Sequence, residues 1–422
     1  MNETQSPQVF LGRQPILGRE QQLLAYELLF RNGVIATGNQ AEVFDPTQAT
    51  STVIANAFTE FSISESLGPY RAYINVDQDF LFSDLIEALP AQLIVLEILE
   101  TIKPTPEVVA RCQQLHDMGF AIALDDVVDI PPDFLPLVQL ADIIKINLLG
   151  TPADRLESMV AKLKPFGKKL LAEKVETAEQ LAHCQRLGFD FFQGYFFAKP
   201  TIISGRKLNP SQLALLRLLA LVMRDADTAD IENAFKQEPG LTVNMLRLTN
   251  SVSSGLTTRV TSLRHAITIL GRRQIQRWLQ LLIYTNPQAG DKHGGNPLLQ
   301  LAATRGRLME LLSERVQPKN HEFAEQAFMV GIMSLMPTLL GIAMPDIIAQ
   351  LPVSPRVSQA LVDRVGQHGL LLQLVEATEQ PDPKVLASAL ENLPSINANA
   401  LDKALAGAFS WANHLNQENT EV

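Results

Sequence analysis

Between Leu93 and Lys199 the chain repeats one pattern: a short apolar run that meets a charged or amide side chain, then a helix-length connection. The runs are LIVLEILE, FAIALDD, DIIKIN, LLAEKVE and DFFQGYFF. Apolar runs of this length and spacing read as buried parallel strands of an α/β domain. A carboxylate at the end of such a strand is expensive to bury. A series of them points to site chemistry, although for any one residue a buried ion pair, such as Lys145 with Asp125, is the alternative.

Upstream, LLAYELLF and AYINV extend the series and add Glu27 and Asn75. Strands are expected near residues 24, 73, 94, 121, 143, 170 and 191, with Leu23–Phe30 as the first. Val9–Ile16 is read only as the segment before a turn at Leu17-Gly18-Arg19. Repeated βα units predict an α/β TIM-like barrel. An open doubly wound sheet is the rival, but its glycine-rich first turn is missing. After Asp125-Asp126 the segment VVDIPPDFL carries Pro131-Pro132, which predicts a stiff, extended loop before a short helix.

The character changes after Lys199. From Leu213 to about Phe409 apolar residues recur at helical spacing, and the chain reads as helix after helix. A chain of 422 residues exceeds what one core usually holds. The expected division is a barrel over 9–200, a linker over 201–208 and an all-helical domain over 209–410, with tails at 1–8 and 416–422. With 35 basic and 45 acidic residues the net charge is -10, which argues against a surface built for nucleic acid. Arg259, Arg264, Arg272, Arg273 and Arg277 form a local exception, read as a solvated or partner-facing surface. Cys112 and Cys184, the only cysteines, lie in amphipathic stretches and are expected to be buried free thiols. The N-terminus lacks a basic region followed by an apolar core, and no uninterrupted apolar run reaches membrane-span length. The expected setting is cytoplasmic, with no membrane partner.

If the barrel closes, Glu27, Asn75, Glu97, Asp125, Asp126, Lys145, Glu173 and Gln193 share one mouth. Their oxygens suit Mg²⁺ or Mn²⁺, and so many acids in one place repel unless cations compensate. A pair of ions would clamp a phosphodiester and activate a water for in-line attack. Lys145 would hold that water or offset developing charge, and Glu173 would orient the nucleophile as base.

From about Val9 to Pro200 the chain resembles the EAL family of cyclic di-GMP phosphodiesterases. Glu27-Leu28-Leu29 stands at the family's E-A-L signature, followed by Arg31 where an arginine contacts a ligand phosphate. Asn75 in INVD, Glu97 in LEILE, the pair Asp125-Asp126, Lys145, and Glu173 in EKVE fall on the family's motifs. Gln193-Gly194-Tyr195 with Lys199-Pro200 matches the closing pattern. The resemblance implies Glu27, Asn75, Glu97, Asp125 and Asp126 as ligands of Mg or Mn. It implies Glu173 and Lys145 as catalytic residues, Arg31 and Gln193 as ligand contacts, and hydrolysis of cyclic di-GMP to linear pGpG. Four departures accompany it. Leu28 replaces alanine, VVDIPPDFL replaces a glycine-containing loop over the metals, Asn147 replaces an aspartate, and Lys174 replaces the glycine of E-G-V-E. The expectation is a signalling protein whose barrel retains ligand or metal binding with weakened or lost turnover. An active phosphodiesterase is the alternative.

The second half resembles the HDOD domains, relatives of the HD phosphohydrolases, through SLRHAITILGRRQIQRWL and the stretches around LAATRGRLMELL and EQAFMVGIMSLM. The His-Asp doublet of the catalytic relatives is absent from this half, and His265, His293, His321 and His368 read as surface or cap residues. The resemblance implies a protein-binding module over 209–410. A homodimer through either domain stays open.

Overall fold

The computed structural model describes residues 9–32, 67–149, 151–198, 210–252, 260, 262–284, 296–380 and 383–420. Eight strands close a barrel in sequence order: β1 (Val9–Leu17), β2 (Leu23–Asn32), β3 (Arg71–Val76), β4 (Ile94–Ile98), β5 (Ala121–Leu124), β6 (Ile143–Asn147), β7 (Lys169–Glu173) and β8 (Phe191–Gln193). The seven expected strands are present, and β2 to β8 pair in parallel. β1 was not expected as a strand. It runs antiparallel to both β2 and β8 and closes the barrel. Gly12 and Pro15 lower its intrinsic strand preference, and barrel closure, a tertiary effect, overrides that preference. The hairpin turns tightly, with Gly18 N donating to Gln22 O at 2.9 Å.

The connecting helices follow their caps. Thr105 caps Pro106–Asp117, and Thr177 with Gln180 forms a capping box on Ala178–Leu187. The sequence DFLFSDLIEALP reads as one short amphipathic helix, but the structure divides it into two short pieces. Asp77 caps Gln78–Leu81, and Ser83 starts a separate 3-10 turn at Asp84–Ala88. As expected, the Pro131-Pro132 loop is extended, with Pro131 at φ -67 and ψ 157, before the short helix Leu135–Leu140. The expected helix in TSTVIANAFTEF, the Lys199-Pro200 pair and the linker 201–208 lie outside the described residues.

Two compact units interleave along the chain. One gathers Met1–Lys199, Asp291–Gln300 and Leu374–Val422; the other gathers Pro200–Gly290 and Leu301–Gln373. In the first unit the helix Ala398–Thr420 packs on the barrel wall, where the Arg13 guanidinium lies between the Tyr26 ring (4.2 Å) and the Phe409 ring (3.8 Å). This helix continues through Thr420, where a frayed tail was expected from 416, and Pro383–Glu391 is a further helix inside the stretch read as helix after helix. The second unit is helical. SLRHAITILG and RRQIQRWLQLLIY are two arms of Leu263–Leu282 that meet at Gly271, whose φ of 72 breaks the helical path. A Cβ on Gly331 would fall 2.6 Å from Arg305 O, so two helices of this unit cross there at a distance only glycine permits.

Both cysteines are buried and free, as expected. Among the described residues one run, His321–Leu340, is long and apolar enough to cross a membrane, and 67% of its most apolar window is buried inside the fold.

Candidate active site

Side chains alternate in and out along a strand, so every second residue lines the barrel interior. Ile16, Ala25, Tyr73, Val95, Ala123, Ile143 and Leu171 cluster there, with Phe191 packed against them. Two residues further toward the C-terminal ends, or two back along antiparallel β1, every strand turns polar. The positions are Gln14, Glu27, Asn75, Glu97, Asp125, Lys145, Glu173 and Gln193. The barrel thus stacks a polar layer on an apolar one.

Lys145 is the hub of the polar layer. Its ammonium is fully buried and lies 2.5 Å from Glu97 Oε1, 2.7 Å from Glu173 Oε1, 2.9 Å from Asp125 Oδ1 and 3.6 Å from Glu27 Oε2. These are ion pairs by distance; none of them has hydrogen-bond geometry at Lys145 Nζ. The amides organise Glu27. Asn75 Nδ2 donates to Glu27 Oε1 at 3.3 Å, and Gln193 Nε2 donates to Glu27 Oε2 and to Gln14 Oε1, the latter at 2.8 Å. Gln14 was not anticipated. Its signal was the period-two pairing of Gln14 with Ile16, visible only once VFLGRQPIL is read as a strand.

One ammonium cannot neutralise so many acids. Burial, then the charge of Glu27, pushes Glu97 well above the carboxylate range. Burial also raises Asp125, and lifts Glu173 to about 8 even against the attraction of Lys145. For Lys145 burial works in the lowering direction, but Glu97, Glu27, Glu173 and Asp125 outweigh it and hold the ammonium protonated.

Asp126 has a φ of 43 and is half-buried. Arg31 lies on β2 opposite Phe10, and its side chain is outside the described atoms. Asn147 accepts from its own loop, from Leu149 N at 2.9 Å. Lys174 is exposed and has a φ of 54, so its backbone occupies the left-handed region that glycine favours. Gly194 has no substitute. A Cβ there would fall 2.1 Å from Val175 O, because the loop after Glu173 presses on the turn after Gln193.

Among the described residues no group of three or more Asp, Glu, His or Cys is arranged to hold a metal ion. The carboxylates are spread around an ammonium instead. The donor chemistry nevertheless fits a hard cation: Asn75 Oδ1, Glu97 Oε2, Asp126 Oδ1 and Gln193 Oε1 are buried without a hydrogen-bond partner, and all are oxygens. Buried polar atoms left unpaired are costly, and an oxygen-seeking divalent ion would relieve that cost.

Among its described residues the helical unit offers no such convergence. Arg264 pairs with Glu232 at 2.9 Å, Arg272 with Asp225 at 3.8 Å, Arg277 with Glu310 at 2.6 Å, and Arg273 with Glu325. The described part of the arginine cluster is therefore interleaved with acids. Arg259 and His293 lie outside the described residues. His368 is not the surface or cap residue expected: it is buried, stacked on Phe323 at 4.1 Å, with Nε2 3.0 Å from Phe323 O.

Comparison with known proteins agrees with both halves. The EAL domain model matches residues 14–200 and the HDOD domain model residues 210–362. The chain is 32% identical to the uncharacterized protein YuxH of Bacillus subtilis, across 88% of this chain and 90% of that one. It is also 32% identical to the cyclic di-GMP phosphodiesterase CdgJ of Vibrio cholerae, across 88% of this chain and 85% of that one. Because both domain models match this chain and these relatives align over 85% or more of their length, the chain belongs to the family in which an EAL domain is joined to an HDOD domain.

Proposed function

We propose that the barrel mouth binds cyclic di-GMP together with Mg²⁺ or Mn²⁺ and hydrolyses it slowly to pGpG, and that the helical part over 209–410 binds a protein partner. The observation that carries this is the complete polar layer around Lys145 beside an Asn147 whose amide oxygen accepts from its own loop. Glu27, Asn75, Glu97 and Asp125 would hold the ion, and Asp126, with Oδ1 buried and unpaired, would serve a second. Bound there, the ion would polarise the phosphodiester and make a water more acidic. Glu173, pushed up to about 8, suits proton abstraction from that water near neutral pH. The Lys145 ammonium offsets charge developing on the phosphate, and Gln193 fixes the Glu27 carboxylate. An asparagine at 147 supplies no charge toward a second ion, which favours binding over rapid turnover.

A second reading, a fully active phosphodiesterase, is favoured by the 2.7 Å approach of Glu173 to Lys145 and by the similarity to a relative named for that activity. Calorimetry with cyclic di-GMP and chromatography of pGpG, with Mg²⁺ and Mn²⁺ supplied separately, distinguish the two. The proposal expects clear binding with slow product formation, both lost in Glu27→Ala. Rapid turnover establishes the second reading. Folded protein with neither binding nor turnover sinks both.

A further inference from the structure

Parallel βα units cover their strands with the helices that follow them. The β1–β2 hairpin joins through a tight turn and has no helix of its own between the strands. The C-terminal segment supplies the cover. Phe409 stacks on Arg13 of β1, and Gln300 Nε2 donates to the buried Asn413 at 2.6 Å. The end of the helix Gly366–Thr378 reaches the same wall, where a Cβ on Gly12 of β1 would lie 3.5 Å from Thr378 O. Residues 363–422 lie beyond both matched domains, yet from Leu374 onward they belong to the barrel's unit.

The next residue, Glu379, accepts a hydrogen bond from the Tyr195 hydroxyl. Tyr195 directly follows Gln193-Gly194. Gln193 donates to Glu27. Its carbonyl accepts from Val175 N at 3.0 Å, and Phe196 N donates to Val175 O at 3.2 Å. Val175 is two residues beyond Glu173. One hydroxyl thus ties residue 379 to the turn that sets both Glu27 and Glu173.

We propose that Glu379 is a positioning residue for the barrel mouth: through Tyr195 it holds the Gln193–Gly194 turn, so the segment from Leu374 onward governs how well the site is formed. The inference rests on reading the mouth as a cyclic di-GMP site, and its test separates the two. In the full chain, hydrogen exchange is followed by mass spectrometry in Tyr195→Phe, Glu379→Ala and the double variant, with Glu379→Gln as the conservative control. Loss of a hydrogen bond to a charged acceptor corresponds to about a tenfold effect. Exchange in residues 193–198 and 175–177 should rise by about that factor in each single variant, while β6 exchange stays unchanged. The double variant should be no faster than either single one, and Glu379→Gln should fall between wild type and Glu379→Ala. Cyclic di-GMP affinity with Mn²⁺ should weaken by a similar factor in the same variants. Unchanged exchange in both single variants, or additive effects in the double, overturns the proposal. If the wild type binds no nucleotide, the cyclic di-GMP reading falls, and the exchange result alone decides the positioning role.

Discussion

The barrel mouth and the helical unit both bury polar side chains, but they treat them differently. In the helical unit these groups are spent on nearby structure. Thr249 Oγ1 donates to Met245 O at 2.8 Å, Ser313 Oγ to Glu310 O at 2.6 Å, Ser334 Oγ to Gly331 O at 2.7 Å, and Arg305 reaches Ser334 at 2.9 Å. Among the described residues Gln280, buried with neither amide atom bonded, is one exception, and Arg272 Nη1 and Arg307 Nε are buried without a hydrogen bond as well. At the mouth, charges from separate strands converge on Lys145 and leave acceptor oxygens unpaired. Satisfied polar groups fix a fold; converging, under-satisfied ones are set up to take a ligand.

The sharpest way to break this contrast is to remove the hub. Lys145→Met leaves the carboxylates buried together without a cation, and truncating one member of a buried ion network costs about 3–5 kcal/mol. Chemical denaturation in EDTA, read from Trp411 in a Trp278→Phe background, should show that loss in the barrel's unit. Added Mn²⁺ should recover part of it. A loss unaffected by Mn²⁺ would mean that Lys145 is only a structural counter-ion.

Glu173→Gln tests the opposite sign. The wild-type carboxyl is raised to about 8, so the folded state is penalised for ionising it. Any pGpG formation should fall by about 100-fold, on the scale that general-base catalysis contributes, while the metal-free melting temperature rises. A fall in both would mark Glu173 as a residue needed for folding.

The two regions should also answer pH in opposite directions. Glu173 has a folded pKa above its unfolded one. Its contribution is therefore present at low pH and lost as pH rises from the ordinary carboxylate range through about 8. Burial lowers the pKa of His368. The unfolded chain then binds the proton more readily, and stability from His368 is lost as pH falls from about 6.5 through its lower folded pKa. Single-tryptophan variants, with Trp411 reporting on the barrel's unit and Trp278 on the helical one, should give unfolding midpoints of opposite slope in EDTA. His368→Gln should flatten the second slope; parallel slopes would remove the electrostatic side of the contrast.

Much of this was legible in the sequence because period and polarity carried it. Parallel strands that end in polar residues announce a barrel and its mouth, and Glu27, Asn75, Glu97, Asp125, Lys145, Glu173 and Gln193 all meet there. Gln14 escaped because Pro15 and Gly12 disguise β1, which becomes a strand only through pairing with β2 and β8. The role of Ala398–Thr420 escaped for a similar reason: apolar spacing shows that a helix has a buried face, not which surface buries it. His368 escaped because a histidine's burial depends on its partner, here the Phe323 ring and carbonyl.

Lys174 offers the smallest effect. Its φ of 54 places a side-chain-bearing residue where the family has glycine, and its side chain is exposed. A left-handed conformation costs a residue with a Cβ about 1–2 kcal/mol. Glycine relieves that cost but loses more backbone entropy on folding, by about 0.5–1 kcal/mol. Lys174→Gly should therefore stabilise the barrel's unit by roughly 0.5–1 kcal/mol, a rise of about 1–4 °C for a unit of this size. Nucleotide affinity should not change, because the exposed Lys174 side chain belongs to none of the ion pairs around Lys145. A gain in turnover without a gain in stability would instead show that Lys174 restrains the loop carrying Glu173, and the strain at this position would then belong to the site rather than to the fold.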